Sequence, residues 1–251
     1  MKVDLKDAYF AVPMDQEHRK YQCFALGERM FQFTCLPFGL TLAPWVFTKT
    51  LKPVIALGRE LGLRLVIYID DILLMAELKE RAQEQGEALV YLLECLGFTI
   101  NREKKVSQTA KFLGFNVNTR TMEMNLPTLK LKTIRAESRK LLREGHISAR
   151  ALSRLTGRMN AADQVIPPGP LFYRHLQMDL SEALRRSGQN YDTLPYLSED
   201  SKEELRWWDT DMSRWNGKTI QTRHTDLTIQ SDASTTGRGA TCQGTDTGGP
   251  W

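Results

Sequence analysis

Residues 63–75 read LRLVIYIDDILLM, an almost wholly apolar run broken at its centre by two adjacent acids, Asp70 and Asp71. Nothing else in the chain constrains the fold so tightly. Arg64 and the acid pair keep the run from being the 18 or so apolar residues that span a bilayer, so it reads as two buried strands meeting at the acids. One reading makes the acids an ordinary hairpin turn, since Asp is a common turn residue. Tight two-residue turns, however, favour glycine at positive φ, and this one has none. Two carboxylates 4 Å apart repel by about 1 kcal/mol in water and about 4 kcal/mol near a protein surface. Divalent cations with oxygen ligands offset that repulsion, so the second reading is a metal site. Local sequence leaves both open.

The chain has 251 residues, 41% apolar and 25% charged, enough for a sizeable core in one to three globular domains. MKVDLKDAYF is acidic within four residues and has no signal-peptide apolar segment. Cys23, Cys35, Cys95 and Cys242 have neither CxxC spacing nor a histidine cluster nearby, and read as reduced, buried thiols of an intracellular protein. The net charge of +4 is unevenly spread: residues 123–190 hold 12 Lys/Arg against 6 Asp/Glu, whereas residues 191–251 hold 6 against 10. The middle segment is the one suited to a polyanion.

Along the chain, Tyr21–Leu26 and Met30–Cys35 flank Gly27 and Glu28 as a hairpin. The stretch 45–58 has helix length, with Pro53 a kink or an end. Residues 77–96 place Leu78, Ala82, Leu89, Leu92, Leu93 and Leu96 on one helical face, with Gly97 as the C-terminal cap. FTI and FLGFNVN add short strands. Strand pairs crossed by helices predict an α+β layer, helices on one face of an antiparallel sheet. After Pro127 the pattern turns helical: Leu131, Ile134, Leu141 and Leu142 repeat along one helix, with Lys132, Arg135, Arg139 and Arg143 on another face. Ser148 caps the next, which carries Ala151, Leu152, Leu155 and Met159. Arg150, Arg154 and Arg158 line one face of that helix at i, i+4, i+8, either as a solvated face or as a ridge for nucleic-acid phosphates. Ser201–Glu204 reads as a capping box, and Trp207 and Trp208 read as core packing in preference to base-stacking platforms.

A second acid cluster, DLKDAY at 4–9, is unremarkable alone. In order, however, DLKDAYFAVPM, LPFGLTLAPWVFTK and YIDDILLM resemble the first three palm motifs of retroelement reverse transcriptases. INREKKVSQTAKFLGF is similar to the lysine-containing fourth motif, residues 127–190 resemble the thumb region of DIRS-type retrotransposons, and IQSDASTTGRGA resembles the opening strand of an RNase H domain. The resemblance implies a polymerase palm over 1–122, a helical thumb or connection over 123–215 and an incomplete RNase H-like segment over 216–251.

It also implies a function: RNA-directed DNA synthesis by two-Mg²⁺ nucleotidyl transfer to a primer 3′-hydroxyl, with Mn²⁺ as a substitute. The partners would be an RNA template, a DNA primer and deoxynucleoside triphosphates, with no membrane. Carried over residue by residue, Asp4, Asp70 and Asp71 are the metal-binding catalytic acids. Tyr9 lies under the incoming sugar, and the backbone amides of Asp7 and Ala8 reach the triphosphate. Phe38 and Gly39 flank the nucleotide and Lys104 lies near the pyrophosphate. Arg150, Arg154 and Arg158 meet nucleic acid, and Asp232 is the first metal-binding acid of an RNase H site. Measured against the family, the fingers and the remaining RNase H carboxylates are missing, so the expected product is a fragment, weak or inactive by itself. The alternatives are a catalytically dead nucleic-acid-binding remnant and a ribonuclease H.

Overall fold

Alternation in KVDLK sends Val3 and Leu5 to one side of an extended strand and Lys2 and Asp4 to the other, and the first core is built on that separation. The computed structural model describes residues 1–101, 106–220 and 227–250. It divides into two units, Met1–Lys218 and Thr219–Trp251. The first unit opens with β1 (Lys2–Lys6), a 3₁₀ turn (Ala8–Ala11), the single-turn α1 (Gln16–Arg19), β2 (Cys23–Leu26), β3 (Arg29–Gln32), α2 (Ala43–Glu60), β4 (Arg64–Tyr68), β5 (Asp71–Met75), α3 (Lys79–Cys95) and β6 (Thr99–Ile100). Strands pair in the order β4-β5-β1-β6, with β1 antiparallel to both of its neighbours. Val3, Leu5, Ile72 and Leu74 pack against Phe47, Leu51 and Ile55 of α2 and Ala82, Leu89 and Leu93 of α3. With both helices over that face, the acids project from the other, as antiparallel sheets with one solvated face permit.

The hairpin expected around Gly27 and Glu28 is present, with Leu26 opposite Arg29 and Gly27 at φ 62°. Gly97 closes α3 at φ 90°. Its N–H donates to Glu94 and that of Phe98 to Leu93, both at 3.0 Å, the paired bonds of a Schellman cap. Leu78 and Leu96, assigned to the buried face, are instead 64% and 52% exposed, one just before the helix and the other at its C-cap.

Pro53 neither ends nor begins anything: α2 runs through it. An interior proline costs about 3 kcal/mol, but Pro53 faces water, where the Lys49 carbonyl it leaves unpaired is solvated, while Phe47, Leu51 and Ile55 anchor the inner face. The four cysteines are free, as expected, but none is buried: Cys23 and Cys95 are exposed, Cys35 and Cys242 half-buried.

The chain continues through β7 (Thr109–Phe112), β8 (Phe115–Asn118) and β9 (Glu123–Asn125), an antiparallel meander, to α4 (Thr128–Glu144), α5 (Ala149–Ala162), a 3₁₀ turn (Gly169–Leu171), α6 (Arg174–Arg186) and α7 (Glu199–Thr210). These helices enclose a second core around Ile134, Leu141, Leu152, Leu155, Met159 and Trp208. Ser148 caps α5, as expected.

Ser201 does not cap α7. Ser198 does, accepting from the Ser201 N–H at 3.3 Å, because Asp179 of α6 holds the Ser198 N–H at 2.9 Å and the Ser201 hydroxyl at 2.6 Å. Glu204 returns the favour across the same interface. Its buried carboxylate accepts the His175 and Leu176 backbone N–H groups, each at 3.0 Å, two of the orphan donors at the start of α6. Glu204→Ala is therefore expected to destabilise the chain by about 2 kcal/mol, because it strands two helix-start donors, that of Leu176 buried and that of His175 partly so, an effect measurable by urea unfolding. A loss of less than about 1 kcal/mol would mean that water caps α6.

The two-residue β10 (Lys218–Thr219) lies at the unit boundary. The second unit holds β11 (Gln230–Ala233), β12 (Gly237–Cys242) and β13 (Thr245–Pro250), an antiparallel meander. Among the described residues no helix is long and apolar enough to cross a membrane.

Candidate active site

Tyr68 pairs with Asp71, so β4 and β5 are joined by the tight two-residue turn that the lack of glycine argued against. Ile69, its first residue, sits at φ 54°, left-handed backbone that costs an L-residue about 1–2 kcal/mol. Positive φ at the first position alone matches the II′ class of hairpin turn. Two contacts offset the strain: Ile69 packs against the first core, and the Asp70 carbonyl accepts the Leu5 N–H at 3.1 Å. The turn reading therefore holds for Asp70, its second residue, while Asp71 opens β5.

That hydrogen bond also sets the register. Asp4 lies directly opposite Asp71, and a bond from the residue after Asp4 to the residue before Asp71 makes them a non-hydrogen-bonded pair, the closer of the two antiparallel pair types. Their Cβ atoms are accordingly roughly 5 Å apart. Each carboxylate has a partner. Asn101, just beyond β6, donates Nδ2–H to Asp4 Oδ2 at 3.3 Å, and the Lys2 ammonium pairs with Asp71 Oδ1. The Lys2 contact is an ion pair and not a well-directed hydrogen bond, because the same buried Oδ1 has no donor at good angle. Asp70 is exposed at the tip.

Beyond β1 the chain turns at Asp7, φ 50°, and buries Ala8. The Tyr9 ring packs against Phe38 and Phe47, at centroid distances of 5.1 and 5.3 Å. Burial, then the negative charge of Asp70, then Tyr68 push the Tyr9 hydroxyl above its ordinary pKa, so Tyr9 stands within electrostatic reach of Asp70. Phe38, 61% exposed, extends the aromatic wall to Phe10. Gly39 has open space where a Cβ would stand, and its φ of 89° is what requires glycine there.

Comparison with known proteins bears on this arrangement. Residues 1–117 match the family model described as reverse transcriptase (RNA-dependent DNA polymerase). Over that stretch the chain is similar to reverse transcriptases. The chain is 31% identical over 127 residues to the Gag-Pol polyprotein of Rous sarcoma virus subgroup B, covering 47% of this chain and 8% of that polyprotein. It is 27% identical over 168 residues to the Pol polyprotein of caprine arthritis encephalitis virus, covering 62% and 14%. It thus spans less than a fifth of the length of these relatives. In fold it is similar to foamy viral protease-reverse transcriptase. A complex of that protein with double-stranded DNA superposes with a TM-score of 0.71 at 18% identity over 96% of this chain and 40% of that one. A complex with RNA/DNA hybrid gives 0.66 at 17% over 100% and 33%.

Lys104 lies outside the described residues. Arg150, Arg154 and Arg158 lie along α5, which packs into the second core. Two of them are engaged within the chain: Arg150 approaches Asp192 at 3.5 Å and Arg158 is paired with Glu137 of α4. Among the described residues Arg154 forms no ion pair. Asp232 is exposed on β11 and accepts the Ala233 N–H at 2.8 Å. Sequence reasoning missed Lys2 and Asn101. The parity of Lys2 with Asp4 was a usable signal; Asn101, 97 residues away from its partner, offered none.

For a divalent cation the donors fit in part. Mg²⁺ is commonly held by one or two carboxylates plus substrate phosphates, and the facing pair Asp4–Asp71 supplies two. Among the described residues no group of three or more His, Cys, Asp or Glu side chains is gathered around one point.

Proposed function

We propose that this chain is part of a DIRS-type retrotransposon reverse transcriptase, carrying out RNA-directed DNA synthesis from deoxynucleoside triphosphates on an RNA template and a DNA primer. The observation that carries the reading is the register of Asp4 opposite Asp71, with Asp70 at the adjoining turn. Asp4, Asp70 and Asp71 are the metal ligands. When bound there, two Mg²⁺ ions supply Lewis acidity to the primer 3′-hydroxyl and neutralise charge on the departing pyrophosphate. The chain's own residues do the rest. Tyr9 and Phe38 wall the side on which the deoxynucleotide sugar lies, Gly39 keeps its backbone open beside them, and the amides of Asp7 and Ala8, with Lys104, bind triphosphate oxygens. Arg154 meets backbone phosphate directly; Arg150 and Arg158 exchange their acidic partners for it. Asp232 on β11 is the first metal-binding acid of an RNase H-like segment.

A second reading, a nucleic-acid-binding remnant without catalysis, draws on the absence of a three-acid group among the described residues. Primer extension on an RNA template with Mg²⁺ separates the two. The expected result is weak synthesis by the wild-type chain, which Asp70→Asn reduces by about 10²-fold or more, a loss of about 2.7 kcal/mol in transition-state stabilisation. Salt-sensitive binding without synthesis would overturn the polymerase reading in favour of the remnant. Cleavage of an RNA/DNA hybrid by this chain would favour a ribonuclease H instead.

A further inference from the structure

Lys2 occupies a place that the catalytic reading does not use. It is two residues before Asp4 on β1 and shares its face. It stands opposite Leu73, so Asp71 is its diagonal neighbour across the strand pair. Its ammonium reaches Asp71 Oδ1, with the two side chains only 19% and 24% exposed. Like charges directly opposite each other destabilise a strand pair, and Asp4 and Asp71 are such a pair. A cation on the same face, half out of water, is what offsets them.

We propose that Lys2 is a positioning residue of this site: its ammonium is the built-in counter-ion of Asp71, holding the facing carboxylates together in the metal-free chain and competing with a divalent cation for the same oxygen. The inference rests on the metal-binding role proposed above for Asp4 and Asp71. Lysine suits the task because its charge is a compact point on a flexible stem, so it withdraws without dismantling a fork of bonds. The poor hydrogen-bond angle at Asp71 Oδ1 fits a contact made by charge alone. Arginine at position 2 would grip the carboxylate through two parallel bonds and give way less readily.

The test is a Mn²⁺ titration of the full chain, read as the rise in its thermal unfolding midpoint, since a ligand that binds only the folded state stabilises it in proportion to its saturation. Lys2→Met should lower the half-saturating Mn²⁺ concentration about tenfold relative to wild type, because the competing charge is gone, and should lower the metal-free midpoint. Lys2→Arg should keep the wild-type half-saturation or raise it. In an Asp71→Asn background both effects of Lys2→Met should vanish, as a pairwise coupling requires.

A half-saturation that is unchanged or higher in Lys2→Met overturns the proposal, as does an effect that persists with Asp71→Asn. If Lys2→Met fails to fold, Lys2→Arg and Asp71→Asn decide: Mn²⁺ binding tighter in Lys2→Arg than in wild type is incompatible with competition. A wild-type chain whose midpoint ignores Mn²⁺ removes the metal reading and this inference together. A chain that responds equally with and without Lys2 removes this inference alone.

Discussion

Trp208→Ala should cost about 3–5 kcal/mol of folding stability, the range for emptying a buried aromatic site. The side chain is fully buried, its Nε1–H donates to the Phe172 carbonyl at 2.7 Å, and it packs edge-on against Trp207 at 5.3 Å. The floor of its site is Gly169, where even an added Cβ would come to 3.4 Å from the indole ring. Truncation leaves both a cavity and an orphaned carbonyl, and neither heals by local collapse, because α5, α6 and α7 all converge there. Trp207 provides the contrast. It stacks on Phe172 at 4.1 Å with an interplanar angle of 5°, but only partly buried, so Trp207→Ala should cost about 1–2 kcal/mol. Urea midpoints measured at unchanged slope give both numbers. Were Trp208 a platform for nucleic-acid bases, its loss would leave the midpoint in place and weaken binding instead.

Those tryptophans were legible as core because two large aromatics on a capped helix have few places to go but inward. The same local logic located the Gly27 hairpin, the Gly97 cap and the Ser148 cap, each decided by residues within a few positions. It failed where a distant group chose between near-equal local options. Ser198 and Ser201 are both plausible caps by type, and Asp179, on the preceding helix, decides between them. Pro53 looks like a helix end until the three apolar anchors of α2 and its outward orientation are known.

At the acids, the ordered motifs made the fold and the cross-chain pairing of Asp4 with the turn foreseeable by resemblance, though no local rule joins residues 66 positions apart. Ile69 illustrates the limit from the other side. Propensity argues against a β-branched residue at positive φ, yet the strand pairing on both sides and the Leu5–Asp70 hydrogen bond over-determine the turn. Strain of this kind is held by surrounding structure and is found disproportionately where a site must be pointed in a fixed direction. Lys2 and Asn101 belong to the same category: each matters through a carboxylate that its own neighbourhood in sequence does not reveal.

Asp4→Asn should separate function from stability, moving them in opposite directions. The substitution keeps the volume and one acceptor oxygen, so the Asn101 Nδ2–H bond that ties β6 to β1 survives, while one of two facing charges disappears. RNA-templated primer extension should fall by about 10³-fold, about 4 kcal/mol, as expected for losing a principal ligand of a two-metal site. Unfolding stability should hold or rise by about 0.5 kcal/mol, because the like-charge repulsion with Asp71 is relieved and Lys2 remains to neutralise the surviving carboxylate. A structural acid pair predicts the reverse: little change in synthesis and a loss of stability. Parallel primer-extension rates and urea midpoints on wild type and Asp4→Asn read both quantities. Activity retained within about fivefold, or a destabilisation above about 2 kcal/mol, would assign the pair to the fold and not to the chemistry.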